Sequence, residues 1–347
     1  MSVGGMDRVR RGPRRGDAPG GGATTTPRRI EMAADEWTTR RTHVGADADP
    51  ERIATALVSQ GLAVSVVIPA LNVEGTVGEI VESLRSSWCA GPRRLIDELV
   101  VVDSRSEDGT ARIAREAGAT VVQDDEVLPG IGRGRGKGEA MWKSLACTSG
   151  ELVAWIDADT HRFDPGYLPG LLHPLVTEPE VSYVKGFYHR PLASSGLGGA
   201  RVTEICARPL FNMFYPSLAA IAQPLAGEAA GRREVLERLP FFTGYGVETG
   251  LLIDMLERHG IGAIAQVDLG ERVQDHQSTV ALGRMAYAIL QVVMRRLVDS
   301  GRAPGDLALA GAYLQPMLAE SGIELHEADV HLAERPPMLE ARAAASS

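Results

Sequence analysis

The chain has 347 residues, of which 44% are hydrophobic and 23% are charged, and its formal net charge is −9 at pH 7. This size allows one or two domains with a large core, and the acidic balance argues against general affinity for nucleic acids. No apolar run approaches the roughly 18 residues that a membrane-spanning helix needs. The 3 cysteines lie far apart, without a C-x-x-C pair, so we expect reduced thiols in a cytoplasmic protein.

Both ends of the chain differ in composition from its middle. Residues 1–30 contain seven Arg and two Asp among Gly, Pro and Thr, with no apolar stretch of the kind found in a secretory signal. A segment of this composition cannot bury enough apolar surface to fold. We predict a disordered basic arm over residues 1–45 and a loose tail, rich in Pro and Ala, over residues 334–347.

After the arm, short buried strands alternate with helices. Strands are predicted at 63–70, 98–103, 119–123 and 152–156, and helices at 77–85, 111–117 and 139–148. The strands are rich in β-branched residues and end at turn residues, as is typical of a parallel sheet covered on both faces. The alternation implies right-handed crossovers. The fold class predicted is α/β, with a Rossmann-like, mainly parallel sheet flanked by helices.

The second half of the chain is more mixed. Strands are predicted at 181–187 and 261–269, and helices at 202–221, 246–259 and 280–299. We therefore divide the folded part into a nucleotide-binding α/β half over 46–190 and a mixed half over 191–333.

Polar side chains follow three of the predicted strands, at the edge where open α/β sheets bind ligands. The first strand runs into Asn72, the second ends in Asp103 and Ser104, and the fourth runs into Asp157-Ala158-Asp159. Paired carboxylates suit Mg²⁺ or Mn²⁺, which often hold a substrate diphosphate at the same time. A glycine-rich loop places Lys137 between them, where glycines let the backbone approach phosphate. Each signal is weak alone, but together they predict a site for a nucleotide diphosphate and a metal.

With these motifs the chain resembles the GT-A nucleotide-sugar glycosyltransferases, and more closely the glucosyl-3-phosphoglycerate synthases. The resemblance covers about Val64 to Met338 and rests on VVIPALN at 66–72, DS at 103–104, GKGEA at 136–140, FYHRPL at 187–192, RVTEICARPL at 201–210, QPLAGE at 223–228, GYGVETGLLID at 244–254, AIAQVDLG at 263–270 and ERPPM at 334–338. It implies a retaining enzyme that moves glucose from UDP-glucose, or another NDP-glucose, to 3-phosphoglycerate. It also implies Mg²⁺ or Mn²⁺ as cofactor, an acceptor-binding role for the second half, and a homodimer.

The resemblance also implies a role for individual residues. The donor-binding residues are expected to be Pro69, Ala70, Leu71, Glu74, Asp103, Ser104, Lys137, Asp157 and Ala158. Acceptor binding falls to Arg201, Thr203 and Gln274, and the metal to Asp159 and His276. The catalytic residues are expected to be Asp157, Asp159 and Glu248.

Two positions depart from the family pattern. The family usually has Asn-Glu-Glu after the first strand, whereas this chain has Val73 in the middle position, so the nucleotide contact is either lost or moved to Glu74. Where the family has a metal-binding His and, two residues later, a polar residue, this chain has Gln274 and His276. We expect His276 to take the metal; in the ungapped register Gln274 does so and His276 contacts the acceptor. The departures leave open a GDP-mannose donor, another acceptor, or a nucleotide-sugar-binding protein without catalysis.

Overall fold

The computed structural model describes residues 35–189, 201–272, 278–307, 309–319, 322–330 and 332–345. The strands in chain order are β1 (Thr42–Val44), β2 (Val64–Ala70), β3 (Glu98–Asp103), β4 (Thr120–Gln123), β5 (Leu152–Trp155), β6 (Tyr183–His189), β7 (Ala229–Arg232), β8 (Phe241–Phe242), β9 (Ile264–Glu271), β10 (Ala312–Ala319), β11 (Gly322–Asp329) and β12 (Glu334–Arg335). Eight of them form one sheet in the order β1-β9-β6-β7-β5-β2-β3-β4, while β8 pairs with β12 and β10 with β11. The predicted α/β fold class is confirmed.

The helices in chain order are α1 (35–41), α2 (Pro50–Gln60), α3 (Val77–Trp88), α4 (Thr110–Ala117), α5 (Lys137–Cys147), α6 (Tyr167–Thr177), α7 (Arg208–Phe214), α8 (Arg233–Leu236), α9 (Val247–His259), α10 (Thr279–Asp299) and α11 (Met338–Ala345). The long helix region predicted at 202–221 is divided into three elements: a π-helical turn (Thr203–Ala207) leads into α7, and a 3₁₀ turn (Pro216–Ala220) follows it. Pro216 breaks the run because it has no N–H for the helical ladder. None of the described helices is long and apolar enough to cross a membrane.

One strand of the eight-stranded sheet runs against its neighbours. β7 pairs antiparallel with both β5 and β6, while the other pairs in the sheet are parallel. The start of β7 therefore lies at the edge where β2, β3, β5, β6 and β9 end. The sheet takes strands from both predicted halves of the chain, so a boundary near residue 190 does not separate two sheets.

The core lies on both faces of this sheet, because alternate side chains of a strand point to opposite sides. On one face Val66, Ile68 and Val101 pack with α2, α3 and α6. On the other face Val67, Val153 and Trp155 pack with α5, α9 and α10. The two layers bury the central strands completely, which accounts for their near-continuous apolar sequences.

The predicted disorder of residues 35–45 is wrong. The Trp37 side chain is only 5% exposed, and its indole N–H donates to the carbonyls of Ile261 (2.9 Å) and Ile264 (3.1 Å). Arg41 forms ion pairs with Glu178 and Glu180. β1 then pairs with β9 in parallel and covers the edge of the sheet. Residues 1–34 lie outside the described part of the chain.

The predicted loose tail is wrong for residues 334–345. β12 pairs with β8, and α11 follows with Met338 fully buried. Arg335 is also buried, against Glu139 of α5. The Pro and Ala content that suggested a loose tail is found instead in a segment held by ion pairs and by the buried side chains of Met338 and Ala341.

We predict that Trp37→Ala lowers the free energy of unfolding by about 3–5 kcal/mol, because a large buried aromatic side chain is lost. Val44→Ala is the matched control from the same segment, since the Val44 side chain is 53% exposed. Urea denaturation measures both changes. Equal, small losses for the two variants would contradict the packing of this segment.

Candidate active site

The site lies at the carboxyl edge of the sheet. β5 continues into Asp157 and Asp159, and β9 continues into Arg272. Because β7 is antiparallel, the residue just before it, Glu228, reaches the same edge. Lys137 begins α5 and Glu248 lies in the first turn of α9. The fold thus gathers four carboxylates and two cations from five separate segments.

These charges form one continuous ion network. The Lys137 ammonium lies 2.5 Å from an Asp157 oxygen and 3.1 Å from a Glu248 oxygen. The Arg272 guanidinium contacts Asp157 at 3.1 Å, Asp159 at 3.0 Å and Glu228 at 2.8 Å. Asp157 is therefore the shared centre, with one cation on each side.

Burial sets the electrostatics of the network. Burial favours the neutral form of Asp157, but Lys137 and Arg272 outweigh it and hold the pKa of that carboxyl well below its usual range. Burial also opposes the charges of Lys137 and Arg272, yet the surrounding carboxylates raise the pKa of both above its ordinary value. Burial raises the pKa of Glu228 in spite of Arg272 beside it. Both cations are charged at neutral pH.

Several loops at this edge contain a residue with a strained backbone conformation. Among the described residues, positive φ angles in residues other than Gly occur at Asn72, Arg105, Leu128 and Arg162, in the loops that follow β2, β3, β4 and β5. Asn72 is stabilised because its side-chain oxygen accepts from the Glu107 N–H at 2.8 Å. Such conformations cluster at ligand sites, where the surrounding structure fixes them.

Glycine is required at position 227, because any Cβ there would overlap the Asp157 carboxylate. Directly before it, the carbonyl of Ala226 accepts a hydrogen bond from the ammonium of Lys185, a buried residue of β6. Burial lowers the pKa of Lys185 to about 8. Lys185 and Gly227 together fix the segment that leads to Glu228.

The residues predicted for the nucleotide lie at the ends of β2 and β3. Pro69 and Ala70 close β2, Leu71 is half exposed, and the Ser104 N–H donates to the Ala70 carbonyl at 2.9 Å. Asp103 is buried and accepts hydrogen bonds from the Ser106 hydroxyl (2.5 Å) and N–H (3.2 Å).

Glu74 has a structural partner, since its carboxylate accepts from the Gly109 N–H at 2.7 Å, at the start of α4. The nucleotide contact that the sequence suggested for Glu74 stays a prediction.

The residues predicted for the acceptor are only partly described. Arg201 is exposed at the start of the helical run, and Thr203, two residues on, is buried. Gln274 and His276 lie outside the described residues. Ala158, between the two aspartates, is buried, and its carbonyl accepts from the Thr76 hydroxyl at 2.6 Å.

The described residues supply only part of a metal site. No group of three or more His, Cys, Asp or Glu side chains within them is arranged to hold a metal ion. The half-exposed Asp159 offers carboxylate oxygen, which suits Mg²⁺ and Mn²⁺. His276 and Gln274, the residues that the sequence predicts for the rest of the metal site, are outside the described residues.

Sequence reasoning missed two members of the network, Arg272 and Glu228. The predicted β9 ended at residue 269, so Arg272 was not placed at the sheet edge, although the strand runs two residues further. Glu228 closes the QPLAGE block, but the short strand after it contains Ala and Gly and was not recognised.

Comparison with known proteins places this site in a family. The model of the family described as glycosyl transferase family 2 matches residues 65–239. The glucosyl-3-phosphoglycerate synthase of Petrotoga mobilis is 43% identical over 284 residues, which cover 81% of this chain and 87% of that protein. The chain belongs to glycosyl transferase family 2, in the glucosyl-3-phosphoglycerate synthase family.

Solved structures of this family share the fold. A mannosyl-3-phosphoglycerate synthase from Rubrobacter xylanophilus is 44% identical, with a TM-score of 0.82 and coverage of 88% of this chain and 99% of that one. A glucosyl-3-phosphoglycerate synthase from Mycobacterium tuberculosis, in complex with Mn²⁺, UDP-glucose and phosphoglyceric acid, is 39% identical, with a TM-score of 0.73 and coverage of 83% and 93%. The predicted GT-A fold and the resemblance to glucosyl-3-phosphoglycerate synthases are confirmed.

We predict that the two aspartates of this glycosyltransferase differ in their contribution to stability. Asp157→Asn should lower the free energy of unfolding by about 3 kcal/mol, because it leaves buried Lys137 and Arg272 short of a partner. Asp159→Asn is the matched control and should cost less than about 1 kcal/mol, because the Asp159 side chain is 51% exposed. Guanidinium denaturation at neutral pH measures both. Equal losses would contradict the central position of Asp157.

Proposed function

We propose that this chain is a retaining, metal-dependent hexosyltransferase that moves glucose from UDP-glucose, or another NDP-glucose, to 3-phosphoglycerate, giving glucosyl-3-phosphoglycerate. The observation that carries the proposal is the ion network around Asp157, at the sheet edge of a chain from this family. A relative that is 43% identical is named glucosyl-3-phosphoglycerate synthase, and a structure of one that is 39% identical contains UDP-glucose and phosphoglyceric acid.

The donor side of the reaction needs stabilisation of negative charge. When the bond between glucose and the diphosphate breaks, charge develops on the leaving UDP, and the Lys137 ammonium is a preorganised point charge for it. A bound Mg²⁺ or Mn²⁺, which Asp159 and His276 would hold as the sequence predicts, would supply further positive charge to stabilise the leaving diphosphate. Arg272 donates hydrogen bonds to Asp157 and Asp159 and thereby fixes the positions of both carboxylates.

The sugar and acceptor side needs different groups. Glu248 contacts the same ammonium as Asp157, so a carboxylate lies next to the cation that binds diphosphate. We assign it the stabilisation of positive charge on the reacting sugar. Arg201 binds the phosphate or carboxylate of the acceptor with its planar fork and offsets the repulsion between two anionic substrates. Thr203 and Gln274 complete this set as the sequence predicts.

A mannosyl donor is the second candidate. The Rubrobacter xylanophilus structure carries that activity in its name and has the highest TM-score given above. In addition, Val73 replaces the usual Glu; its N–H donates to the Thr110 hydroxyl at 2.8 Å, and its side chain packs against the core. An apolar side chain there cannot form the nucleotide hydrogen bond of the usual Glu, so the base and the sugar are both open to test.

We also propose that the protein acts as a homodimer in the cytoplasm, without a nucleic-acid or membrane partner. One face of the β10–β11 hairpin exposes Leu314, Ile323 and Leu325 by 57%, 71% and 68%. On the opposite face, Tyr313 contacts Tyr287 of α10 at 5.5 Å between ring centroids. The apolar face therefore points away from the chain's own body, where a second copy could cover it.

A donor-by-acceptor screen tests the proposed function. Purified protein is incubated with Mn²⁺, a donor (UDP-glucose, GDP-glucose or GDP-mannose) and an acceptor (3-phosphoglycerate or a related phosphorylated acid). The masses of the products are then measured by mass spectrometry. We expect glucosyl-3-phosphoglycerate from UDP-glucose. Arg201→Ala should raise the acceptor KM about tenfold, the effect of one charge-assisted hydrogen bond, and leave the donor KM unchanged. Product only from GDP-mannose would select the second candidate, and no transfer would refute both.

A further inference from the structure

The C-terminal segment 333–345, which we call the strap, packs against the segments that carry Lys137 and Glu248. Its backbone pairs with the segment before α9: the Thr243 N–H donates to the Ala333 carbonyl at 2.9 Å, and the Ala333 N–H donates to the Thr243 hydroxyl at 3.0 Å. β12 and β8 continue the pairing. The strap thus adjoins the turn that leads to Glu248.

One side chain of the strap, Arg335, contacts both the loop that precedes Lys137 and the first turn of α5. Its guanidinium bonds both oxygens of Glu139, at 2.7 and 2.8 Å. It also donates to the carbonyls of Ile131 (3.1 Å) and Gly132 (3.0 Å). Arg335 is only 9% exposed, so these four hydrogen bonds form largely out of water. Because the buried guanidinium forms four hydrogen bonds, it fixes the loop backbone at the two carbonyls that it contacts.

The loop from 128 to 136 depends on these contacts for its shape. It contains a positive φ angle at Leu128, which is costly for a residue other than Gly, and positive φ angles at Gly132 and Gly136, which glycine adopts freely. Glu139 accepts a second kind of bond, from the Gly134 N–H at 3.1 Å. Arg335 and Glu139 therefore hold the middle of the loop, between residues 131 and 134, a few residues before Lys137.

The same loop is joined to the Glu248 turn. The Gly244 N–H donates to the Arg135 carbonyl at 3.0 Å, and a Cβ at Gly136 would lie 3.0 Å from the Gly244 Cα. The two backbones are thus in close contact, and a shift of the loop would move Lys137 relative to both Asp157 and Glu248.

We propose that Arg335 is a positioning residue of the donor site: it fixes the 128–136 loop so that the Lys137 ammonium is placed for the diphosphate. The proposal rests on the proposed function for the identity of the donor. Arg335 touches no substrate, and it acts through the loop and through Glu139.

The test compares Arg335→Lys and Arg335→Gln with Arg342→Gln. Arg342 belongs to the same strap, but it pairs with Glu237 at 2.9 Å and donates to the carbonyl of Leu145, near the end of α5 that is distant from Lys137. We expect both Arg335 variants to raise the donor KM, and the Kd of the nucleoside diphosphate in Mn²⁺, by about tenfold or more, the effect of losing a charge-assisted hydrogen bond. The acceptor KM should not change. Arg342→Gln should lower the melting temperature but leave all three constants as in the wild type.

Arg335→Lys carries the test if Arg335→Gln does not fold, because lysine keeps a charge for Glu139 but cannot bond both carbonyls as well. Wild-type donor KM and Kd in Arg335→Lys would overturn the proposal, as would an equal change in Arg342→Gln. The nucleoside diphosphate is the one that the substrate screen selects. The Kd is measured for the nucleoside diphosphate alone, without sugar or acceptor, and is compared between variant and wild type. Failure of the proposed function would therefore appear in the substrate screen, whereas failure of the Arg335 proposal would appear in this Kd comparison.

Discussion

The structure depends on one constraint: two cations are held among four carboxylates at a partly buried sheet edge. Lys137 and Arg272 flank Asp157, and the three charges stabilise one another at a place where burial opposes each of them. Breaking such a network exposes an unpaired charge to a low-dielectric environment, which is why its members must arrive in fixed positions. Much of the surrounding fold can be understood as the means of delivering them.

The sheet delivers these groups through its strand order. Parallel strands bring Asp157 and Arg272 to one edge, and the antiparallel β7 brings Glu228 to the same edge from its opposite end. Helix starts supply Lys137 and Glu248, where the backbone N–H groups of a first turn also favour anions. A diphosphate at this edge would meet a side-chain cation and a helix N-terminus together. The chemistry of the site therefore follows from the topology as much as from any single motif.

The sequence predicted the central sheet well, because β2, β3 and β5 are apolar, β-branched and bounded by clear turn signals. It missed α2, although Asp49 caps that helix, Pro50 starts it and Gly61 ends it. Segments stabilised by distant partners were also missed: β1 is held by β9, and α11 by buried Met338. In the site, too, residues in local motifs were predicted and residues placed by distant strand pairing were missed. Lys137, Asp157, Asp159 and Glu248 were found through motifs, whereas Arg272 and Glu228 belong to the network only through β9 and β7.

The charge balance of the network has a consequence for ligand binding. Among the described residues of the network, four carboxylates outnumber two cations, so a diphosphate alone is opposed by Asp157, Asp159 and Glu248. A divalent cation cancels this excess and places positive charge where the diphosphate binds, so the repulsion of the diphosphate is relieved. Binding of nucleotide and metal should therefore be coupled.

Calorimetric titration of UDP into the protein, with Mn²⁺ and then with EDTA, tests this account most directly. The account predicts that UDP binds at least about tenfold more tightly with Mn²⁺, a difference of about 1.4 kcal/mol. An equal Kd in EDTA would contradict it, because the edge would then bind a diphosphate without the added positive charge.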